Sequence, residues 1–290
     1  MSDSHSIDFQ RRFGGLERLF GPAGLERLRA AHVVVAGIGG VGSWCAEALA
    51  RSGVGGITLV DLDHIAESNV NRQLHALTDT LGQAKVVAMG QRIRGINPGC
   101  RLSMVDDFIS PENVSGLLPP DAGVVIDCTD QAAAKVAMIL EARARGMPIV
   151  VCGGAGGKTS PLALRAGDLS MAANDALLSK LRNTLRRQHG FPRAADRAGK
   201  ALKRIPRMGV RALWFDQPTL LPELWAGAAD AGAPALRPET GELAARAPGA
   251  AALQGLSCAG YGSAVTVTAS MGMAAANEAL QWVLSGRFPG

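Results

Sequence analysis

Short, largely apolar runs recur along the first half of the chain: Val33–Ala36, Ile57–Val60, Leu102–Val105, Val124–Ile126 and Ile149–Val151. Runs of this length, rich in β-branched side chains, read as strands buried on both faces. Between them apolar positions fall at helical spacing, which predicts helices over Ser43–Arg51, Gln83–Ile96, Glu112–Leu117 and Ala132–Arg145. Ser110-Pro111 reads as the N-cap and first-turn pair of the third. Residues 7–31 are a further helical stretch, expected to break at Gly14-Gly15 and at Gly21-Pro22. Strand alternating with helix predicts an α/β fold, a Rossmann-like, doubly wound, mostly parallel sheet. After residue 185 the rhythm fails, and residues 226–255 hold Ala, Gly and Pro with no usable period. Residues 1–290 therefore read as one domain carrying an insertion over 185–255. The apolar stretch 258–284 is interrupted by Asn277 and Glu278, so it is expected in a core or subunit interface and not across a membrane.

Composition narrows this reading. The chain is 47% hydrophobic and only 4% aromatic, with 36 glycines, which suits a glycine-loop α/β protein better than a β-sandwich. Its five cysteines (Cys45, Cys100, Cys128, Cys152, Cys258) are scattered without a C-x-x-C pair, so neither a zinc site nor a disulfide framework is expected, only buried reduced thiols. No charged segment leads into an apolar one at the start, and the expected location is cytoplasmic. Charge is concentrated. Residues 180–211 hold eleven Lys and Arg against the single acid Asp196, a net +10 in a chain of +5, so the remainder sums to −5. Such a segment, mostly arginine and without internal pairing, is expected to meet an anionic partner such as RNA.

Candidate chemistry begins at "VVVAGIGGVGSW", where Gly37, Gly39 and Gly42 match G-x-G-x-x-G and Gly40 adds a fourth glycine. The motif sits between a strand and a helix, the context in which backbone N–H groups hold a phosphate. Asp61, 19 residues beyond Gly42 at the end of the next strand, is placed to accept ribose hydroxyls. To this point a dinucleotide and ATP are equally served. Asp63, Asn69, Asn71, Arg72, Gln73 and Lys85 then follow. Cations and amides just past the ribose carboxylate suit a triphosphate, whereas a dinucleotide pyrophosphate is held by the loop and helix dipole. In "VVIDCTDQ", ending the fourth strand, Asp127 or Asp130 could hold Mg²⁺ beside the phosphates. "VCGGAGGKTS" imitates a P-loop, but the first required glycine falls on Cys152, so that reading is rejected. Its glycines are expected to let the backbone approach a substrate or the first loop.

Together the glycine loop, the "DLDHIAESNVNRQL" run, Lys85 and "CTD" resemble the ubiquitin-activating-enzyme-like (ThiF-type) adenylating superfamily, over about 8–170 and 256–285. The resemblance implies that Asp61 binds the ribose of ATP. It implies that Asn69, Arg72 and Lys85 contact phosphates and that Asp130 serves Mg²⁺–ATP. It also implies a homodimer in which an N-terminal arginine, Arg12 before Arg11, enters the partner's site. Arg72, Lys85, Asp130 and Arg12 are thus the candidate catalytic set. "QRRFGGLERLFG", "NRQLHAL", "INPGCRLSMVDDF", "GGAGG" and "SCAGYGSAVTVTAS" look like the tRNA threonylcarbamoyladenosine dehydratase branch. That branch implies ATP-dependent cyclisation of the modified adenosine next to the anticodon, through a carboxyl-adenylate, with tRNA as partner and a sulfur-relay protein as a possible second one. Adenylation of a sulfur-carrier or ubiquitin-like C-terminus is the rival, and the missing C-x-x-C pairs weigh against it. An NAD-dependent oxidoreductase and a non-catalytic RNA-binding scaffold stand further off.

Overall fold

The computed structural model describes residues 8–194, 202–220 and 261–289. The alanine-rich tract 226–255, Cys258, Asp196, Arg197 and Lys200 lie outside them. In chain order the elements are α1 (Phe9–Ala30), β1 (His32–Ala36), α2 (Gly42–Arg51), β2 (Gly56–Val60), α3 (Lys85–Ile96), β3 (Arg101–Val105) and α4 (Val114–Leu117). There follow β4 (Val124–Asp127), α5 (Ala132–Arg145), β5 (Ile149–Cys152), β6 (Leu164–Asp168), α6 (Ala176–Gln188), β7 (Arg211–Phe215) and a last helix, α7 (Val265–Ser285). The seven strands lie in the order β3-β2-β1-β4-β5-β7-β6, parallel except for β6, which runs antiparallel to β7.

The pleat explains the continuous apolar runs. Val33 and Val35 of β1 enter the core beneath α1, α2, α3 and α7, whereas Val34 and Ala36 enter the core beneath α4, α5 and α6. Both faces are covered, as a doubly wound sheet requires. β1 pairs with β2 on one side and β4 on the other, so the chain reverses direction of build between β1 and β4. The crevice above that switch point is where open α/β sheets bind ligands.

Several local expectations are corrected. α1 runs unbroken through Gly14-Gly15 and kinks only at Gly21, whose φ of 74° is followed by Pro22. α4 starts at Val114 with Asn113 at its N-cap, so Ser110-Pro111 does not cap it; Ser110 instead accepts from the Glu112 N–H through its hydroxyl. α3 starts at Lys85, not Gln83. The rhythm also continues past residue 185. α6 is a full helix capped by Asp175, and β7 inserts parallel beside β5. The stretch after the false P-loop forms a short 3-10 turn and then β6.

α7 packs on α2 through Gly272. A Cβ there would stand 2.4 Å from the Val41 carbonyl oxygen and 3.0 Å from the Cys45 amide nitrogen. This contact fixes the start of α2, and with it the glycine loop. Gly272→Ala therefore lowers the unfolding free energy by about 1–3 kcal/mol and weakens nucleotide binding. Gly116→Ala, into open space on α4, leaves both nearly unchanged. Equal urea midpoints for the two variants would contradict this packing.

Candidate active site

The site is built on the turn from β1 to α2. The Gly37 N–H donates to the Val60 carbonyl at 2.8 Å, and the Cys128 N–H donates to the Ala36 carbonyl at 2.8 Å. The loop is therefore seated between the ends of β2 and β4. Gly37 has φ 82°, and a Cβ on it would sit 2.9 Å from the Cys128 backbone. At Gly42 a Cβ would stand 1.8 Å from the Gly37 carbonyl oxygen. No other residue type fits either position. α2 has no side-chain N-cap and its Ser43 N–H donates to the Gly39 carbonyl, so the loop N–H groups just before the helix are the ones that can serve an anion. They face a pocket of about 530 Å³, lined by Gly39, Gly40 and Val41.

Asp61 ends β2 on the rim of this pocket. One carboxylate oxygen accepts from the Ile38 N–H at 2.5 Å, and the other from the Asp63 N–H at 2.9 Å. Burial pushes its pKa up, while Lys85 pulls it down. Lys85, at the start of α3 and itself buried, holds Asp63 at 2.6 Å and lies 3.8 Å from Asp61. Arg72 lies under the glycine loop, its Trp44-bound carbonyl fixing the backbone at 3.0 Å. The Arg72 guanidinium donates to the Ser68 carbonyl at 2.7 Å and to Asn71 Oδ1 at 3.0 Å. Asn71 in turn donates to the Ser263 carbonyl, and Asn69 accepts from the Ala66 N–H. Gln73 is buried against the pocket with its Oε1 unpartnered. Asp61, Asp63, Asn69, Arg72, Gln73, Lys85 and Asp130 thus line one cavity together with Gly37, Gly39 and Gly40, whereas Gly42 packs behind the loop on the Gly37 carbonyl.

The two acids after β4 separate. Asp127 is fully buried, 3.1 Å from the Lys135 ammonium, which also donates to the Cys152 carbonyl at 2.8 Å. Thr129 donates to the same Asp127 oxygen. Asp127 therefore ties the ends of β4 and β5 together, whereas Asp130 is exposed to the pocket. Lys158 of the false P-loop points into the protein, donating to the Asn174 and Gln217 carbonyls and to Thr219. Gly154 lines the pocket and donates to Asp175, the cap of α6. Arg12 lies outside this pocket, donating to the Gly95 and Ile96 carbonyls at the far end of α3. Among the described residues no group of three acids, histidines or cysteines forms a metal cage. Cys45 and Cys152 are buried free thiols, and burial raises Cys100 to about 11.

Sequence reasoning missed the apolar rim of the pocket, where Leu62 and Phe108 are both exposed, and its neighbours Asp107, Leu177 and Thr268. The signals were the branch stretches "VDDF" and "SAVTVTAS", quoted above without a role. In the basic segment, Arg182 donates to the Leu169 and Ala172 carbonyls, Arg186 to the Pro192 carbonyl, and Arg211 grips Glu278 with two bonds of 2.9 Å. These three arginines are structural.

Beneath the loop, His75 Nε2 lies 2.9 Å from the Ile38 carbonyl oxygen and its Nδ1 is buried without a partner. A neutral ring must carry its proton on Nε2 to make this bond. Burial lowers its pKa from 6.5 to about 4. Below pH 6.5 an unfolded chain takes up a proton that the folded chain refuses. The corresponding stability, up to about 3 kcal/mol, is complete above that pH and is lost as pH falls from about 6.5 toward about 4. His75→Gln, which keeps a donor for Ile38, flattens the pH dependence of the urea midpoint across this window; parallel curves for variant and parent would contradict the assignment.

A family model described as "ThiF family" matches residues 15–288. The chain is 36% identical to the tRNA threonylcarbamoyladenosine dehydratase of Haemophilus influenzae, over 96% of this chain and 95% of that protein. It is 37% identical to the protein of the same name from Escherichia coli, over 98% of each. The crystal structure of E. coli tRNA N6-threonylcarbamoyladenosine dehydratase in complex with ATP is similar with a TM-score of 0.77 at 35% identity, over 97% of both chains.

Proposed function

The chain belongs to the ThiF family, and we propose that it is an ATP-dependent tRNA-modification enzyme that dehydrates threonylcarbamoyladenosine to its cyclic oxazolone form. The observation that carries this reading is the near-complete structural likeness to an ATP-bound dehydratase in a chain whose glycine loop, Asp61, Arg72 and Lys85 line one pocket.

The threonyl carboxylate of the modified base attacks the α-phosphorus of ATP. Pyrophosphate leaves and an acyl-adenylate forms. The ureido group of the same side chain then closes on the activated carbonyl and AMP departs, so the net loss is one water. The second step is intramolecular, where well-placed groups reach effective molarities of about 10⁵ M or more, and no protein thiol is needed. The chain's task is to bind and neutralise phosphate. The N-terminus of α2 supplies N–H donors, Asp61 receives the ribose, and Arg72 and Lys85 exchange their present partners for phosphate oxygens. Mg²⁺ fits as an ion carried in with ATP: Asp130 is an exposed carboxylate on the pocket, and one carboxylate plus phosphates is a common way to hold this ion. Bound there, it would neutralise charge on the leaving phosphates.

Arg12 is assigned to the partner protomer's site in a homodimer, because in its own protomer it sits away from the pocket. The net reaction contains no sulfur, so a sulfur-relay protein would be a docking partner and not a reactant, and the place of action is the cytoplasm, where tRNA is handled. No described helix is long and apolar enough to cross a membrane. Adenylation of a carrier-protein C-terminus shares the first half-reaction and is the second reading.

Mass spectrometry of tRNA nucleosides after incubation with protein and ATP tests the assignment. Loss of one water from threonylcarbamoyladenosine is the expected outcome, and adenylation of a Gly-Gly carrier terminus with tRNA left untouched would overturn it. Asp130→Ala lowers turnover by about 100-fold or more with an unchanged thermal midpoint; full activity in this variant would remove Asp130 from the site. Mixing Arg12→Ala with Lys85→Ala subunits restores one working site per mixed dimer. No recovery despite demonstrated subunit exchange would contradict an arginine supplied by the partner.

A further inference from the structure

α6 carries a face that neither the fold nor the nucleotide pocket uses. Its buried side is Leu178, Leu181 and Leu185. Its exposed stripe is Ala176, Lys180, Asn183 and Arg187, residues four, three and four apart, which places them along a single line. Ser179 and Thr184 flank that line, and together these side chains edge a shallow groove of about 480 Å³. The helix itself contains no acid. The ion pairs among the described residues are all made elsewhere, so neither Lys180 nor Arg187 meets a carboxylate in them.

The stripe starts beside the candidate active site. Leu177 lines the nucleotide pocket, and Asp175, the helix cap, holds the Gly154 N–H of the same pocket. Lys180 lies one turn beyond Leu177, and Arg187 about 10 Å further along the axis at 1.5 Å per residue. Arg182 and Arg186, on the flanks, are fastened to backbone carbonyls and hold the helix in place. Lys180 and Arg187, without an ion pair among the described residues, are thus separated by hydroxyl and amide donors, the side chains that bond phosphate oxygens and 2′-hydroxyls. The exposed stripe holds no large apolar anchor, which the centre of a protein–protein interface requires.

We propose that the outer face of α6, through Lys180, Asn183 and Arg187, is the track on which the RNA backbone flanking the modified adenosine is laid as the base enters the pocket. This rests on the tRNA reading above and adds to it the surface used. It also narrows the basic segment: the binding cations come from the exposed stripe and not from Arg182, Arg186 or Arg211.

The test is binding of tRNA carrying threonylcarbamoyladenosine to the full-length protein across a salt series, without turnover. Lys180→Gln with Arg187→Gln weakens tRNA binding about tenfold or more and reduces the slope of log K against log salt by about 1.5, the value for two lost phosphate contacts. ATP affinity, measured alone, stays unchanged and shows that the variant is folded. The charge-matched control, Arg18→Gln with Arg94→Gln on α1 and α3, keeps the parent slope. Unchanged tRNA affinity and slope in the α6 variant would overturn the proposal, as would loss of an acidic protein partner with tRNA binding intact. Absence of dehydration in the parent protein would instead count against the function, and the binding measurement reads the surface independently of it.

Discussion

The molecule is organised around one close backbone approach, the Gly42 α-carbon against the Gly37 carbonyl. A Cβ at Gly42 would fall 1.8 Å from that oxygen, so only hydrogen can occupy the space. The turn is tight because Gly37 takes positive φ and lies on the Cys128 backbone. α2 consequently starts directly above the ends of β1 and β4, with the loop residues Gly39, Gly40 and Val41 lining the crevice before it. α7 secures the arrangement from outside through Gly272, and His75 secures it from below through Ile38. Three different parts of the chain are thereby committed to the position of one loop.

Charge is arranged in the same economical manner around that loop. Lys85 is buried between Asp61 and Asp63, and Arg72 is occupied by a carbonyl and an amide. A cation held this way costs less to bury than a free one, and both still line the pocket. Asp127 and Lys135 form the opposite case: a fully buried pair that joins two strand ends and leaves the neighbouring Asp130 exposed. Position relative to the sheet decides the role. Of two acids three residues apart, the one still on the strand is structural and the one past its end can meet ligand.

Much of this was legible because β1, β2, β4 and β5 are buried on both faces and show as apolar runs, and because the glycine loop, Asp61 and Lys85 are fixed by local spacing; β3, expected to be buried likewise, is an edge strand with no buried residue. β7 was not legible. Arg211 opens it with a charge, and it follows a basic segment that resembles solvent-exposed chain, yet it inserts between β6 and β5, the latter some sixty residues earlier. α6 was hidden by the same charges, although its leucines at 178, 181 and 185 keep helical spacing. The roles of His75, Lys135 and Lys158 depend on carbonyls brought close by folding, which no local pattern announces. At Ser110-Pro111 a plausible cap lost to Asn113, whose side chain accepts from the Ser110 N–H and donates to the Phe108 carbonyl. Leu62 and Phe108 escaped notice because single apolar residues at strand ends look like ordinary surface.

The central claim is that the substrate carboxylate is activated on the α-phosphorus of ATP in this pocket. Labelling the threonyl carboxylate of the modified tRNA with oxygen-18 tests it most directly. Attack on the α-phosphorus followed by cyclisation breaks the carbon–oxygen bond of the adenylate, so the account predicts one labelled oxygen in the phosphate of AMP. Label recovered in inorganic phosphate, with ADP as the nucleotide product, would show activation at the terminal phosphate and contradict it.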